Sequence, residues 1–409
     1  MKTILYVTQH QPHRTSCGSE LRAYHIRRAL EDVGDVRVVV VQGGDEAGPM
    51  PPQAGAVQVE RTLPVNPIRR RGILSKIRWA LDPRIPFPHG RGVDRSSDEF
   101  LREHSSRYDL IWFSKLRTAN MFPTWSWPHS VVDIDDVPST YEFSMMANQR
   151  ELRRRFISAV RYFSWRRRER LLGKRFTVLA VCSETDKRYL ERLRVDAPIH
   201  VIPNGSVSRK GLPVRTPSNP PRIGFVGLLD YFPNREGIQW FIAECWPLIK
   251  QQIPDARLRI AGKGGDQDLL MQNRNDIDRL GWVRDLEGEI ATWSVMIVPI
   301  RVGAGTREKI AYGFGQQCPI VSTPLGAMGY DVANGEELLI AGSAGEFAFS
   351  CVRIIRREPD VSAMVRKAYQ KFLLHWNWDA IAPRIREAAE DCLRLNHKAG
   401  VELRKLASW

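Results

Sequence analysis

The sequence predicts an α/β protein made of two successive doubly wound halves, each a parallel sheet with helices on its faces. Three observations predict it. Short runs rich in Val, Ile and Leu recur along the 409 residues, separated by helical patterns. The alternation pauses at a proline-rich stretch, Pro213–Pro221, and restarts at Arg222. The length also exceeds what one core usually fills, so two domains of about 150–200 residues each are expected. Open parallel sheets bind ligands at the carboxyl ends of their strands, and two such Rossmann-like sheets facing each other would enclose a cleft.

The elements follow in order. Thr3–Gln9 reads as a strand, followed by a loop ending at Gly18 and an amphipathic helix over Ser19–Val33. Val36–Val41 is a valine run suited to burial on both faces. A stretch rich in Pro and Gly from Gly43 to Pro67 reads as irregular, and Asp98–Ser106 as a short helix. Asp109–Phe113, Ser130–Ile134 and Val178–Val181 are further strands. In the second half, Arg222–Val226 and Arg257–Ala261 are strands around a helix over Glu236–Gln251. Val295–Ile300, Pro319–Ser322 and Glu337–Ile340 complete the second set, and Ala380 to about Leu395 is helical.

Composition narrows the function classes. With 43% apolar and 26% charged residues, disorder is not expected, and no apolar run approaches the roughly 20 residues of a membrane span. The short apolar run at the N-terminus reads as a buried strand, not a signal peptide. The six cysteines make no CxxC or zinc-ligand spacing, which predicts reduced thiols in a cytoplasmic protein without structural zinc. The net charge is +15, and about +11 of it lies in residues 1–200. A nucleic acid, an anionic membrane, an acidic sugar or plain solvation would each account for it. The absence of any nucleic-acid motif argues against the first.

The segment RVGAGTREKIAYGFGQQCPIV, Arg301–Val321, concentrates candidate chemistry. Gly303, Ala304, Gly305 and Thr306 follow a strand and are expected to begin a helix. Glycines there would let the backbone approach an anion, and first-turn N–H groups with the helix dipole would hold it. Arg301, Arg307 and Lys309 would add charge that grips a diphosphate. An ordinary strand-to-helix turn with surface basic residues fits the same letters.

Several stretches in order bring in a family. YVTQHQPHRTSCGSELRAYHIRRALEDVGDVRVVVV, VCSETDKRYL with VIPNGS, IGFVGLLDYFPNREGIQWF, LRIAGKG, LGWVRDL and the segment above resemble the retaining GT-B glycosyltransferases of the "glycosyl transferases group 1" type. The resemblance implies a GT-B fold of two facing Rossmann-like domains: an acceptor side over 1–208, a donor domain over 209–378, and a closing helix, 379–409, packing back on the first. It implies a nucleotide-diphospho-sugar donor, UDP- or GDP-linked, and a glycan or lipid-linked glycan acceptor in bacterial polysaccharide biosynthesis. No essential metal or cofactor is implied, nor any nucleic acid.

Carried over by position, Gly303–Thr306 would meet diphosphate and sugar, with Arg301 and Lys309 offsetting phosphate charge. Trp282 and Val283 would line the nucleobase pocket, and Gly18 would let the N-terminal loop close over the diphosphate. The chain also departs from the pattern. Ala304 and Tyr312 stand where many relatives carry a pair of glutamates; Glu308 is in neither register. Tyr312 would offer ribose a hydroxyl, not a carboxylate. In the loop after Gly227, Leu228 stands where arginine is common and Glu236 where lysine is common, with Arg235 adjacent as a substitute.

On the acceptor side, Asp133, Asp135 and Asp136 follow a strand in VVDIDDVPSTYE. Asp135 or Asp136 would orient an acceptor hydroxyl and take part of its proton, or would simply cap the next segment. His10 and His13 lie in the first loop. Two stretches, Ile68–Arg84 and Arg153–Arg175, mix arginine with apolar residues. On a helix Phe156, Val160, Phe163 and Leu171 gather on or near one side. Such a helix either lies on anionic lipid at the inner face of the cytoplasmic membrane or packs inward with a solvated basic face.

Overall fold

The computed structural model describes residues 1–11, 18–42, 58–67, 72–85, 91–149, 151–207, 214–265, 274–357 and 360–407. The chain forms two compact units. One comprises Met1–Met146, Glu151–Pro203 and Ile381–Trp409; the other comprises Ala147–Arg150 and Asn204–Ala380. The change of unit falls at Pro203/Asn204, ahead of the proline-rich linker, because Ser206 is already tied into the second unit. Its N–H donates to the Trp376 carbonyl at 2.9 Å, and its own carbonyl accepts from Trp378 at 3.2 Å.

The first unit holds an eight-stranded sheet: β1 (Lys2–Thr8), β2 (Gly34–Gln42), β3 (Val59–Pro67), β4 (Arg91–Val93), β5 (Leu110–Phe113), β6 (Ser130–Ile134), β7 (Val178–Val181) and β8 (Ile199–Val201). The order is β4-β3-β2-β1-β5-β6-β7-β8, parallel throughout except for β4 on β3. Its helices are α1 (Gly18–Glu31), α2 (Gly72–Leu81), α3 (Arg95–Ser105), α4 (Leu116–Ala119), α5 (Pro138–Asn148), α6 (Leu152–Glu169), α7 (Leu172–Arg175) and α8 (Glu184–Arg192). Leu5, Val7, Val39, Val41, Ile111 and Phe113 form the centre of the core. The irregular stretch expected up to Pro67 is corrected: Val59–Pro67 is a strand. Its alternation is real, with Leu63 and Val65 buried and Thr62, Pro64 and Asn66 exposed. Its prolines are tolerated because they stand where pairing stops: Pro64 is the last residue paired with β2 and Pro67 the last paired with β4.

The second unit holds β9 (Arg222–Val226), β10 (Arg257–Ala261), β11 (Ile277–Gly281), β12 (Val295–Val298), β13 (Ile320–Ser322) and β14 (Leu339–Ile340), all parallel in the order β11-β10-β9-β12-β13-β14. Helix α9 (Phe232–Trp240) runs through a π-turn, Phe241–Cys245, into α10 (Trp246–Gln252). Then come α11 (Leu286–Ala291), α12 (Glu308–Gly315), α13 (Pro324–Ala327), α14 (Ala344–Ile355) and α15 (Val361–Lys371), and α16 (Trp378–Ala407), which belongs to the first unit from Ile381 on. The order reverses between β9 and β12. In a doubly wound sheet that crossover leaves a crevice at the strands' carboxyl ends, where ligands bind. The loops leaving β9 and β12 are the two glycine-bearing segments singled out in the sequence.

Candidate functional site

The first loop begins at Gly227, whose N–H donates to the Ala261 carbonyl at 2.9 Å. Asn234, at the start of α9, donates from Nδ2 to the Leu228 carbonyl at 2.9 Å and accepts from Lys309 Nζ on Oδ1 at 2.7 Å. The Lys309 ammonium also sits 4.6 Å from the Phe225 ring centroid. Burial pushes its pKa down to about 7, and neighbouring Arg307 adds to the fall. A Cβ at Gly227 would meet Asn234 Nδ2 at 2.7 Å and Lys309 Nζ at 3.2 Å, so glycine keeps this junction open.

The second loop corrects one expectation. Gly303–Thr306 does not begin a helix; α12 starts at Glu308 with Arg307 as its N-cap. Gly303 and Gly305 have φ of 129° and 69°, conformations that a right-handed helix cannot include. The loop's amides therefore do not belong to the first helical turn. Arg307 folds back over the loop, donating from Nη1 to the carbonyls of Ala304 and Gly305. Its Nε and Nη2 are buried without a hydrogen-bond partner, and so is the Thr306 hydroxyl. Buried donors are rarely left unanswered, because each costs about 1–3 kcal/mol.

Arg301 is not a free cation. Its Nη2 and Nε donate to Glu236 Oε1 at 2.6 and 3.1 Å, and its guanidinium lies 5.0 Å from the Trp240 ring centroid. The glutamate that replaces the common lysine is thus the partner of the arginine, a pairing across 65 residues that the sequence does not display. Ala304 is fully buried and Tyr312 half-buried. Arg235 donates to the Leu229 carbonyl at 3.2 Å and lies 5.9 Å from the Phe232 ring centroid. Trp282, just after the positive-φ Gly281, is 59% exposed, with Lys263 Nζ 5.2 Å from its ring centroid. Val283 packs against the core. The fold brings Gly227, Asn234, Arg307 and Lys309 together; Asn234 was visible in the sequence only as the second letter of a "PN" pair.

In the first unit, Gly18 stands at the first position of α1. Residues 12–17 before it, with His13, lie outside the described residues; the His10 N–H donates to Thr8 Oγ1 at 3.1 Å. Asp133 is structural: its carboxylate takes two 2.7 Å hydrogen bonds from the Arg22 guanidinium, both side chains being buried. Asp135 accepts from Lys115 Nζ at 3.1 Å and from Cys182 Sγ at 3.3 Å. Burial pulls the Lys115 pKa down, but Asp135, Asp136 and Asp133 outweigh it and hold the ammonium above its ordinary value. Asp136 is exposed. Among the described residues no three His, Cys, Asp or Glu side chains are grouped to hold a metal ion, and no helix is long and apolar enough to cross a membrane.

Residues 220–357 match the family model described as "Glycosyl transferases group 1". A Klebsiella pneumoniae protein described as "Uncharacterized 44.6 kDa protein in cps region" is 28% identical over 166 residues, 38% of this chain; the chain spans 42% of that relative's length. The fold is similar to that of a sucrose-phosphate synthase from Thermosynechococcus elongatus, with a TM-score of 0.68 and 17% identity over 100% of both chains. It is also similar to Anabaena HepE, solved with UDP and glucose, with a TM-score of 0.65 and 17% identity over 95% of this chain and 99% of that one. Two doubly wound units with a glycine-lined crossover in the second give the chain the GT-B fold, and the family match falls on that same second region.

Proposed function

We propose that this protein is a retaining glycosyltransferase that moves a sugar from a UDP- or GDP-sugar to a glycan or lipid-linked glycan, in bacterial polysaccharide biosynthesis. One observation carries the reading: at the β9–β12 crossover, Arg307 Nε, Arg307 Nη2 and the Thr306 hydroxyl are buried donors with no acceptor, on the same segment as the desolvated Lys309. A diphosphate supplies the oxygens they lack. HepE, solved with UDP and glucose, supports a UDP donor.

In this reading Gly303, Ala304, Gly305 and Thr306 meet the diphosphate and sugar through their backbone, and Gly227 lets a phosphate approach Lys309. Trp282 and Val283 line the base, Tyr312 offers a hydroxyl to ribose, and Arg235 adds positive potential, while Glu236 offsets the charge of Arg301. Gly18 shapes the N-terminal loop. Negative charge grows on the departing diphosphate, and cations already held there lower the barrier where it grows. The departing phosphate takes the acceptor hydroxyl's proton on the same face, which gives retention without a protein nucleophile. Asp135 or Asp136 orients the acceptor. When that acceptor is lipid-linked, the protein works at the inner face of the cytoplasmic membrane.

The test is a panel of nucleotide sugars with an assay for released UDP or GDP. The expected outcome is release from one donor class, lost in Lys309→Ala. A second reading, a GT-B scaffold that no longer turns over donor but binds polysaccharide or a partner enzyme, is favoured by Ala304 and by the Glu236 carboxylate on Arg301. Stabilisation by UDP or GDP with no release from any donor would select it. Absence of both would remove the donor site.

A further inference from the structure

Helix α6 is inside out. It buries Ser158, Ser164, Arg168 and Glu169 beside Trp165, yet leaves Leu152 79%, Phe156 70% and Phe163 62% exposed. With Val160, these positions are spaced by three or four residues, so they share one outward stripe. The inward-packing alternative raised by the sequence is thereby set aside for this stripe. Neighbouring α2 repeats the pattern. Its Trp79 is buried edge-on against Trp165, at 5.8 Å between ring centroids, while Leu74 is 78% exposed and Leu81 64%. Arg168 locks the two helices together, 4.0 Å from the Trp79 ring centroid and donating to the carbonyls of Trp79 and Asp82. A shallow groove lined by Leu74, Ile77 and Leu81 runs along α2.

Charge decides the occupant. Arg153, Arg154, Arg155 and Arg167 of α6 and Lys76 and Arg78 of α2 are exposed around these apolar side chains. The acidic side chains nearby are engaged or few: Glu151 pairs with Arg154 at 2.8 Å, and Glu169 is buried against Ser139. A second copy of this face would bring like charges together. An anionic bilayer surface offers what the face lacks, phosphate oxygens for the arginines and an acyl boundary for the phenylalanines.

We propose that α2 and α6 form a membrane-docking face that seats Phe156, Phe163 and Leu74 at the acyl boundary of an anionic leaflet. The proposal deepens the lipid-linked form of the acceptor reading and rests on it for its purpose, but lipid binding is measured apart from sugar transfer. The full chain is floated with vesicles of phosphatidylglycerol and phosphatidylethanolamine and with vesicles of phosphatidylcholine alone. Binding to the first, falling as salt rises, is expected. Phe156→Ser with Phe163→Ser, and separately Arg154→Glu with Arg155→Glu, should each weaken it by about tenfold or more. Both variants should keep the wild-type melting midpoint and UDP binding. Equal binding to both vesicle types, or unchanged binding in both variants, overturns the proposal. So does sedimentation showing a dimer that Phe156→Ser dissociates, which would make the face a contact between copies. A protein that floats but releases no nucleotide keeps this face and loses the transfer reading.

Discussion

The Lys309 ammonium is drawn away from water and held by the Asn234 amide oxygen, and its titration is the most accessible property of the site. An unfolded chain keeps the lysine near 10.5, while the fold lowers it to about 7. Unfolding therefore takes up a proton between those values. The desolvation cost is full below about 7 and relieved as pH rises toward 10.5, so this group makes the fold more stable with rising pH. Binding runs the other way, since a diphosphate favours the charged form. UDP affinity should fall as pH rises above about 7, and calorimetry in buffers of different ionisation enthalpy should show proton uptake; pH-independent affinity would contradict the assignment. Lys309→Ala should weaken UDP binding about 10–100-fold, the loss of a charge-assisted hydrogen bond, without lowering the melting midpoint. Arg301→Ala should differ. It strands the half-buried Glu236, so about 1–3 kcal/mol of stability should be lost in urea titration as well as any affinity. Lys309 and Arg301 were legible as candidates from their place beside two glycines. Their partners were not, because Asn234 and Glu236 lie 75 and 65 residues away.

Among elements, the strands were the most legible, since buried parallel strands need apolar runs and the chain has them at β1, β2, β5, β6 and β7. β3 was obscured by Pro64 and Pro67, whose restriction is harmless where little pairs beyond them. The start of α12 was misplaced because a glycine pair before a helical pattern resembles a helix start, whereas its positive φ values make it a loop. Glycine has a second use at the ends of β9 and β10. A Cβ on Gly262, at φ 145°, would stand 2.0 Å from the Gly227 carbonyl oxygen, while one on Gly281, at φ 61°, would meet nothing within 4 Å. Gly262→Ala should therefore cost about 2–3 kcal/mol or more and disturb nucleotide binding. Gly281→Ala should cost about 1–2 kcal/mol, the left-handed strain alone. Equal melting midpoints for the two would refute the packing argument.

At the scale of the whole molecule, the chain returns to its first unit at Ile381. Ile381, Ile385, Ala388, Ala389 and Cys392 of α16 are buried, His200 Nε2 is 3.0 Å from Asp391, and Asn396 donates to the Asp109 carbonyl at 3.2 Å. Removing residues 381–409 takes that apolar stripe away and uncovers the surface of the first unit that it buries, so the shortened chain should aggregate or bind hydrophobic dyes, and a soluble product with the native melting midpoint would count against this role. By itself the sequence determined the two doubly wound halves and the glycine loops at their strand ends, because apolar period and turn chemistry are local. Only the tertiary structure decided which charges are spent and which remain. Arg22 is consumed by Asp133, Arg301 by Glu236 and Lys115 by Asp135, whereas Arg307 keeps two buried donors unanswered. The physical reason is that a charge's state depends on partners and burial, and both are set by packing across distant stretches of chain.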